Sequence, residues 1–315
     1  MINQFKMKYI SKPVLILLYN RPDKTEKLLK AIENFNFKTV YISSDGPKNN
    51  NTDKELVKRV REKAYLYAEN NNCKFLKNEE NKGCKYGVSS AINWFFENEN
   101  DGIILEDDCI PGNDFFFFCE EMLNHFNDDE SIYMITGDNF QPERKVIEPA
   151  SYYYSKYPHV WGWATWKRSW VNYDIDMKSW KKFKSSAAFK KINPNFFERR
   201  YWTKIFDQTF YKRIDTWDYQ WAYTIWLNAG KVVTPVANLV ENIGFGKDAT
   251  HTKETPYKIN PINDGVIGGV IIHTHDSKIN KKADKFIFVN VLGGIDIFSI
   301  RGLLKLFKQS LSFLK

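Results

Sequence analysis

The chain has 315 residues, 43% hydrophobic and 27% charged, which excludes a disordered or low-complexity protein and suffices for an ordered α/β domain with an appended part. A net charge of +8 suits nucleic acid, an anionic membrane surface or a phosphorylated substrate. The basic residues show no nucleic-acid motif, so nucleic acid is set aside, and the excess is read at the ends, in Lys278, Lys281, Lys282, Lys285 and the last fifteen residues.

Cys73, Cys84, Cys109 and Cys119 form neither a CxxC pair nor a zinc spacing, which predicts reduced thiols and a cytoplasmic protein. Residues 1–10 are not followed by an apolar run long enough for a signal peptide or an anchor. Ten tryptophans either build the core or line a carbohydrate site, and composition does not choose between these.

In chain order, the run VLILL after Pro13 stops at Asn20-Arg21-Pro22-Asp23, the pattern of a strand buried on both faces. A helix over 24–35 carries Leu28, Leu29 and Ile32 on one side, and a short strand over 40–43 ends at the turn Ser44-Asp45-Gly46-Pro47. A polar helix is predicted over 53–70, then a helix over 88–96 after Lys82-Gly83-Cys84-Lys85-Tyr86-Gly87. The strand over 102–105 ends at Glu106-Asp107-Asp108, and a helix over 115–126 and a strand over 132–136 follow. This strand–helix alternation implies a central, mostly parallel sheet covered by helices, whose ligands bind at the carboxyl ends of the strands. Asn20, Arg21, Asp45 and Glu106-Asp107-Asp108 all fall at such ends.

Three consecutive carboxylates repel one another and require a cation or solvent. Beside a phosphorylated ligand such oxygens suit Mn2+ or Mg2+, with Asp108 as the direct ligand and Glu106 and Asp107 tuning it or touching the ligand. The competing reading is a solvated acidic loop before Pro111-Gly112. Arg21 and Lys85 are candidate phosphate contacts, Lys85 with help from helix amides. The 83–87 stretch lacks the Gly-Lys-Ser/Thr ending of a P-loop.

In this order, the motifs resemble GT-A glycosyltransferases, closest in organisation to the inverting N-acetylglucosaminyltransferase I-like and bacterial family 2-like enzymes. The resemblance rests on Tyr19-Asn20-Arg21-Pro22, Asp45, Glu106-Asp107-Asp108, Gly162-Trp163 and Trp217-Asp218 with Trp221, and spans roughly residues 13–250. It implies a GT-A nucleotide-diphospho-sugar transferase fold with its nucleotide-sugar-binding half at 1–137. The acceptor-binding and catalytic half then lies at 138–255, and an extension at 256–315.

It further implies metal-dependent transfer of a sugar from a nucleotide-diphosphate-sugar to a glycan or lipid-linked acceptor, with inversion, in bacterial surface polysaccharide synthesis. Asn20, Arg21, Asp45, Lys85, Glu106 and Asp107 would hold the donor, and Asp108 and His251 the metal. Trp163, Trp217 and Trp221 would contact the acceptor, and Asp218 would act as general base, with Asp215 its nearest rival. The loop over 244–250 would close over the donor, and His273 with His275, alternating in a strand, is an alternative metal pair. A sugar-1-phosphate nucleotidyltransferase and a non-catalytic carbohydrate-binding protein are the competing functions.

If residues 300–315 are helical, Ile300, Leu303, Leu304, Phe307, Leu311 and Leu314 form one stripe edged by Arg301, Lys305, Lys308 and Lys315. Such a helix suits peripheral contact with the cytoplasmic face of an anionic membrane.

Overall fold

The structure, a computed structural model, describes residues 8–142, 150–245, 260–263, 265, 267 and 269–295. The first half runs β1 (Lys8–Ile10), β2 (Val14–Leu18), α1 (Pro22–Ile32), β3 (Phe35–Phe37), β4 (Val40–Ser44) and α2 (Asn51–Glu69). It continues through β5 (Cys73–Lys77), α3 (Gly83–Asn98), β6 (Asp101–Glu106), β7 (Cys109–Pro111), α4 (Asn113–His125) and β8 (Ile132–Thr136). Next come β9 (Tyr152–Ser155), β10 (Trp163–Trp166), α5 (Lys167–Trp170), α6 (Trp180–Ser185), α7 (Ala187–Ile192), α8 (Phe196–Phe210) and α9 (Asp218–Leu227). Then follow β11 (Lys231–Pro235), β12 (Val240–Asn242) and α10 (Lys281–Phe286), which passes into a π-helical turn at Ile287–Val291.

Eight strands form one sheet in the order β5-β4-β2-β6-β10-β8-β11-β9. Strands β5, β4, β2 and β6 are mutually parallel, and β10 runs antiparallel between β6 and β8. Strand β11 is parallel to β8, and β9 closes the edge antiparallel to β11. The sheet therefore draws strands from both the 1–137 and the 138–255 segments.

Strand β2 shows why the sheet is buried on both faces. Val14, Ile16 and Leu18 pack into one core cluster, while Leu15 and Leu17 pack into the other, the two-residue alternation of an extended chain. Helix α1 begins at Pro22, whose missing amide costs nothing in a first turn, and the side chain of Asn50 caps α2 by accepting from the Asp53 amide.

The second core cluster is aromatic. Trp163 stacks on Trp217 at 5.5 Å between ring centroids, and Trp170 and Trp221 close around them. His273 and His275 do not lie in a strand: the segment is irregular, and His273 instead stacks on His125 at 3.9 Å and meets the Tyr152 hydroxyl at 3.3 Å. His275 is exposed, and without a strand there is no shared face to pair it with His273. The tail over 300–315 lies outside the described residues. Among those described, no helix is long and apolar enough to cross a membrane.

Candidate active site

Strands β2, β4 and β6 end side by side, and the polar residues that follow them meet there. A cavity of about 240 Å3 opens over these ends, lined by Tyr19, Arg21, Asp45, Glu106, Asp107 and Asp215 among others. A second cavity of about 190 Å3 adjoins it across Arg21, Cys84 and Glu106, and is walled by Asp108, Trp161, Thr216, Trp217, Asp218 and Gly244.

Arg21 is the hinge of the arrangement. Its Nη1 donates to Asp108 Oδ2 at 2.6 Å and to Asp107 Oδ1 at 3.0 Å. Burial alone would lower the guanidinium pKa, but the charges of Asp107 and Asp108 raise it above its ordinary value. Burial pushes the carboxyl of Glu106 up, and Asp108, Asp107 and Asp218 push it further. Burial likewise raises Asp107, against the opposing pull of Arg21. The acidic loop is thus no solvated turn; it is a desolvated cluster that Arg21 pairs with and Lys24 also stabilises.

Asp45 lines the first cavity and holds its rim. Its carboxylate accepts from Asn78 Nδ2 at 3.2 Å, Asn81 Nδ2 at 3.0 Å and the Lys82 amide at 3.1 Å, which shapes the entry to α3. Gly87 approaches that carboxylate closely enough that a Cβ would sit 3.1 Å from Oδ2.

Asn20 lines neither cavity; it turns inward and donates to Asp53 Oδ1 at 2.6 Å. Tyr19 and the Lys48 amide donate to the other oxygen at 2.8 and 2.6 Å. Burial favours the protonated form of Asp53, but these hydrogen bonds outweigh it and hold the pKa below the ordinary value. Sequence alone does not single out Asp53, which reads there as the first residue of a solvated helix; its third position after Asn50 is the available signal.

Lys85 lines neither cavity: its amide donates to Asp215 Oδ1 at 3.3 Å and its ammonium lies 5.4 Å from the Tyr86 ring centroid. The amide, not the ammonium, is the part of Lys85 that meets a residue of the site. Asp215 stands by the first cavity and Asp218 by the second, which separates the two rivals. Thr216 donates its hydroxyl to Asp218 Oδ1 and fixes that carboxylate at the start of α9.

Of the three tryptophans expected to meet the acceptor, Trp163 and Trp221 are fully buried and line neither cavity. Neither can stack on a sugar without leaving the core, and both act as packing beneath the site. Trp217 is also buried but contributes to the wall of the second cavity. Trp161 and Phe245, both half-buried and 5.5 Å apart between ring centroids, are the aromatics that the second cavity exposes.

No three His, Cys, Asp or Glu among the described residues form a metal-holding group, and His251 lies outside those residues. Asp107 and Asp108 nevertheless converge on one point of positive charge, the Nη1 of Arg21. The Gly244 backbone packs directly against Asp108, where a Cβ would clash at 2.2 Å from Oδ2. Strand β12 holds Gly244 in place by pairing with β7, and Asn242 Oδ1 accepts the Gly244 amide at 2.7 Å. Asp107 and Asp108, both paired with Arg21, offer oxygen donors of the kind that a hard divalent cation takes.

No known family profile matches the sequence, and neither does any curated protein. Among solved structures, GalNAc-T7 crystallised with UDP, GalNAc and Mn2+ aligns over 79% of this chain and 46% of its own, with 10% identity and a TM-score of 0.48. The chain therefore spans less than half the length of that protein. Mannose-1-phosphate geranyltransferase from Thermus thermophilus aligns over 73% of this chain and 74% of its own, with 10% identity and a TM-score of 0.32. Mouse xyloside xylosyltransferase 1, apo form, aligns over 68% and 80%, with 11% identity and a TM-score of 0.30. Likenesses this distant carry nothing about activity. The strand order and the cores on both faces of the sheet give this chain the α/β fold with a central, mostly parallel sheet that the strand–helix alternation implied.

Proposed function

We propose that the chain is a glycosyltransferase that moves a sugar from a nucleotide-diphosphate-sugar to a hydroxyl of a glycan or lipid-linked acceptor, with inversion. The observation that carries this reading is the pair of adjoining cavities. The first lies over the ends of β2 and β4, with Tyr19, Asp45 and Lys48 around a space suited to a nucleoside. The second holds Asp218 on the far side of Arg21 and Glu106. A donor lying across both would place its nucleoside in the first, its diphosphate at Arg21 and the acidic loop, and its sugar in the second.

Inversion is one displacement. The acceptor hydroxyl oxygen bonds to the anomeric carbon as the bond to the diphosphate oxygen breaks, and that oxygen keeps the electron pair. Asp218 takes the hydroxyl proton, with Thr216 holding the carboxylate. Glu106, its carboxyl pushed towards the protonated form, can donate a hydrogen bond to a sugar hydroxyl in the second cavity. Buried Trp217 and half-buried Trp161 wall that cavity and limit the water that competes with the acceptor. Asp107 and Asp108 would hold Mn2+ or Mg2+, which when bound supplies charge neutralisation for the departing diphosphate.

The test is release of nucleoside diphosphate from a panel of nucleotide-sugars, with Mn2+ or with chelator, for the parent protein and Asp108→Ala. Release that depends on both the ion and Asp108 supports the reading. A sugar-1-phosphate nucleotidyltransferase would instead release pyrophosphate from a nucleoside triphosphate. Glycan binding without turnover, and without nucleotide affinity, would leave a carbohydrate-binding protein.

A further inference from the structure

The most basic stretch of the chain is helical. Residues 178–213 hold eleven Lys and Arg against Glu198 and Asp207, a net +9, so a total of +8 leaves the rest of the chain at −1. The carboxyl-terminal stretch 278–315, with eight Lys and Arg against Asp284 and Asp296, is the second basic stretch, at a net +6. Helices α6, α7 and α8 bury Trp180, Phe183, Phe189, Trp202 and Phe206 in the aromatic core and turn their basic residues outward.

The two acids of the stretch are already engaged. Glu198 is buried against Lys156 Nζ at 2.6 Å and the Tyr157 hydroxyl. Asp207 binds Lys184 Nζ at 2.6 Å and accepts from Trp180 Nε1 at 2.9 Å. Among the described residues no carboxylate pairs with Lys181, Arg200, Lys204 or Arg213, which form one surface. Arg200 and Lys204 share the outward stripe of α8 with Phe196 and Tyr211, at steps a helix keeps on one face. Lys181 of α6 lies 5.7 Å from the Phe210 ring centroid, and Arg213 lies 5.8 Å from that of Tyr211.

Cations alone would suit any polyanion. Here they alternate with aromatic rings left in water: Phe196 is 59% exposed and Tyr211 57%. A soluble polyanion meets the charges and leaves those rings wet, whereas a lipid headgroup layer takes both, rings inward and cations at the phosphates. The surface also leads into the site. Two residues after Arg213, Asp215 lines the first cavity, and Asp218 of the second begins α9. We propose that the α6–α8 face seats the protein on an anionic phospholipid membrane, with the cavity mouths beside the lipid surface. This docking does not depend on the transferase reading.

The test is sedimentation of the full-length protein with vesicles of phosphatidylcholine alone or with about one third phosphatidylglycerol. Binding is expected only to the anionic vesicles and should be released by about 0.5 M NaCl. The combined substitution Lys181→Glu, Arg200→Glu, Lys204→Glu and Arg213→Glu should weaken it about 100-fold or more. Phe196→Ser with Tyr211→Ser should weaken it by a smaller factor at unchanged charge, which keeps the test open if the charge variant fails to fold. Equal binding to neutral vesicles would overturn the proposal. So would binding that survives the four Glu changes but vanishes when Arg301, Lys305, Lys308 and Lys315 become Ser, or preference for a soluble polyanion such as dextran sulfate over the vesicles.

Discussion

Asp218 occupies the first turn of α9, where its carboxylate is fixed by Thr216 and faces the second cavity. If it takes the acceptor proton, Asp218→Asn should lower turnover by roughly 10²- to 10⁴-fold while nucleotide-sugar affinity, read by calorimetry, stays unchanged. A loss of affinity without a loss of turnover would give the residue a binding role instead. Trp221 makes the opposite case. Buried among Trp163, Trp170 and Tyr173, it should report on stability: Trp221→Ala is expected to cost roughly 3–5 kcal/mol in urea unfolding. The same variant with its stability intact and its acceptor KM raised would return Trp221 to the site.

Among the elements, α10 is held by a buried carboxyl. Asp284 Oδ1 accepts from the Ser155 hydroxyl of β9 at 2.6 Å, beside Lys156, and burial pushes its pKa up to about 7. The unfolded chain ionises this group near pH 4 and the folded chain keeps its proton until about pH 7, so the unfolded state binds fewer protons in between. Stability from this group is therefore complete below about pH 4 and declines as pH rises to about 7. Asp284→Asn, neutral throughout, should remove a decline on the order of 4 kcal/mol from the urea-unfolding profile. A variant profile parallel to the parent's would exclude Asp284 as its source.

The elements legible in sequence were those whose pattern is local. β2, β4, β6, α2 and α4 lie close to where apolar runs and turn signals put them, and the cluster of polar residues at the ends of β2, β4 and β6 followed from topology. Strands β9 and β10 were missed because Tyr152–Ser155 and Trp163–Trp166 are aromatic and buried on both faces, so no alternation marks them. For the same reason Trp163 and Trp221 looked like ligand contacts: a residue's type does not tell a ring in a core from a ring beside a sugar. Asp53, and the contact of Gly244 with Asp108, escaped because the partners Tyr19 and Asp108 are 34 and 136 positions away in the chain.

Across the whole molecule, β10 couples the two segments. It enters the sheet between β6 and β8, so β8 has no place beside β6 without a strand that follows it in the chain. Residues 8–137 expressed alone would leave the β6 edge open and β8 without its neighbour, a template for association. That fragment is expected to aggregate or remain unfolded by circular dichroism, while the full chain loses both segments in a single urea transition. Two separated transitions would show that the segments stand independently.

Arg21 belongs to the walls of both cavities at once. A ligand in the first cavity that draws the guanidinium towards its own phosphates leaves Asp107 and Asp108 without their counter-charge, and a divalent ion restores it. Under the proposed function, nucleotide and ion would each raise the other's affinity, and thermodynamic reciprocity requires the same factor in both directions. In Arg21→Ala the carboxylates stand uncovered from the outset, so the ion should bind more tightly and its dependence on nucleotide should shrink. Titrating Mn2+ with and without nucleoside diphosphate measures that factor directly, and an unchanged factor in the variant would mean that the two cavities are neighbours without being linked.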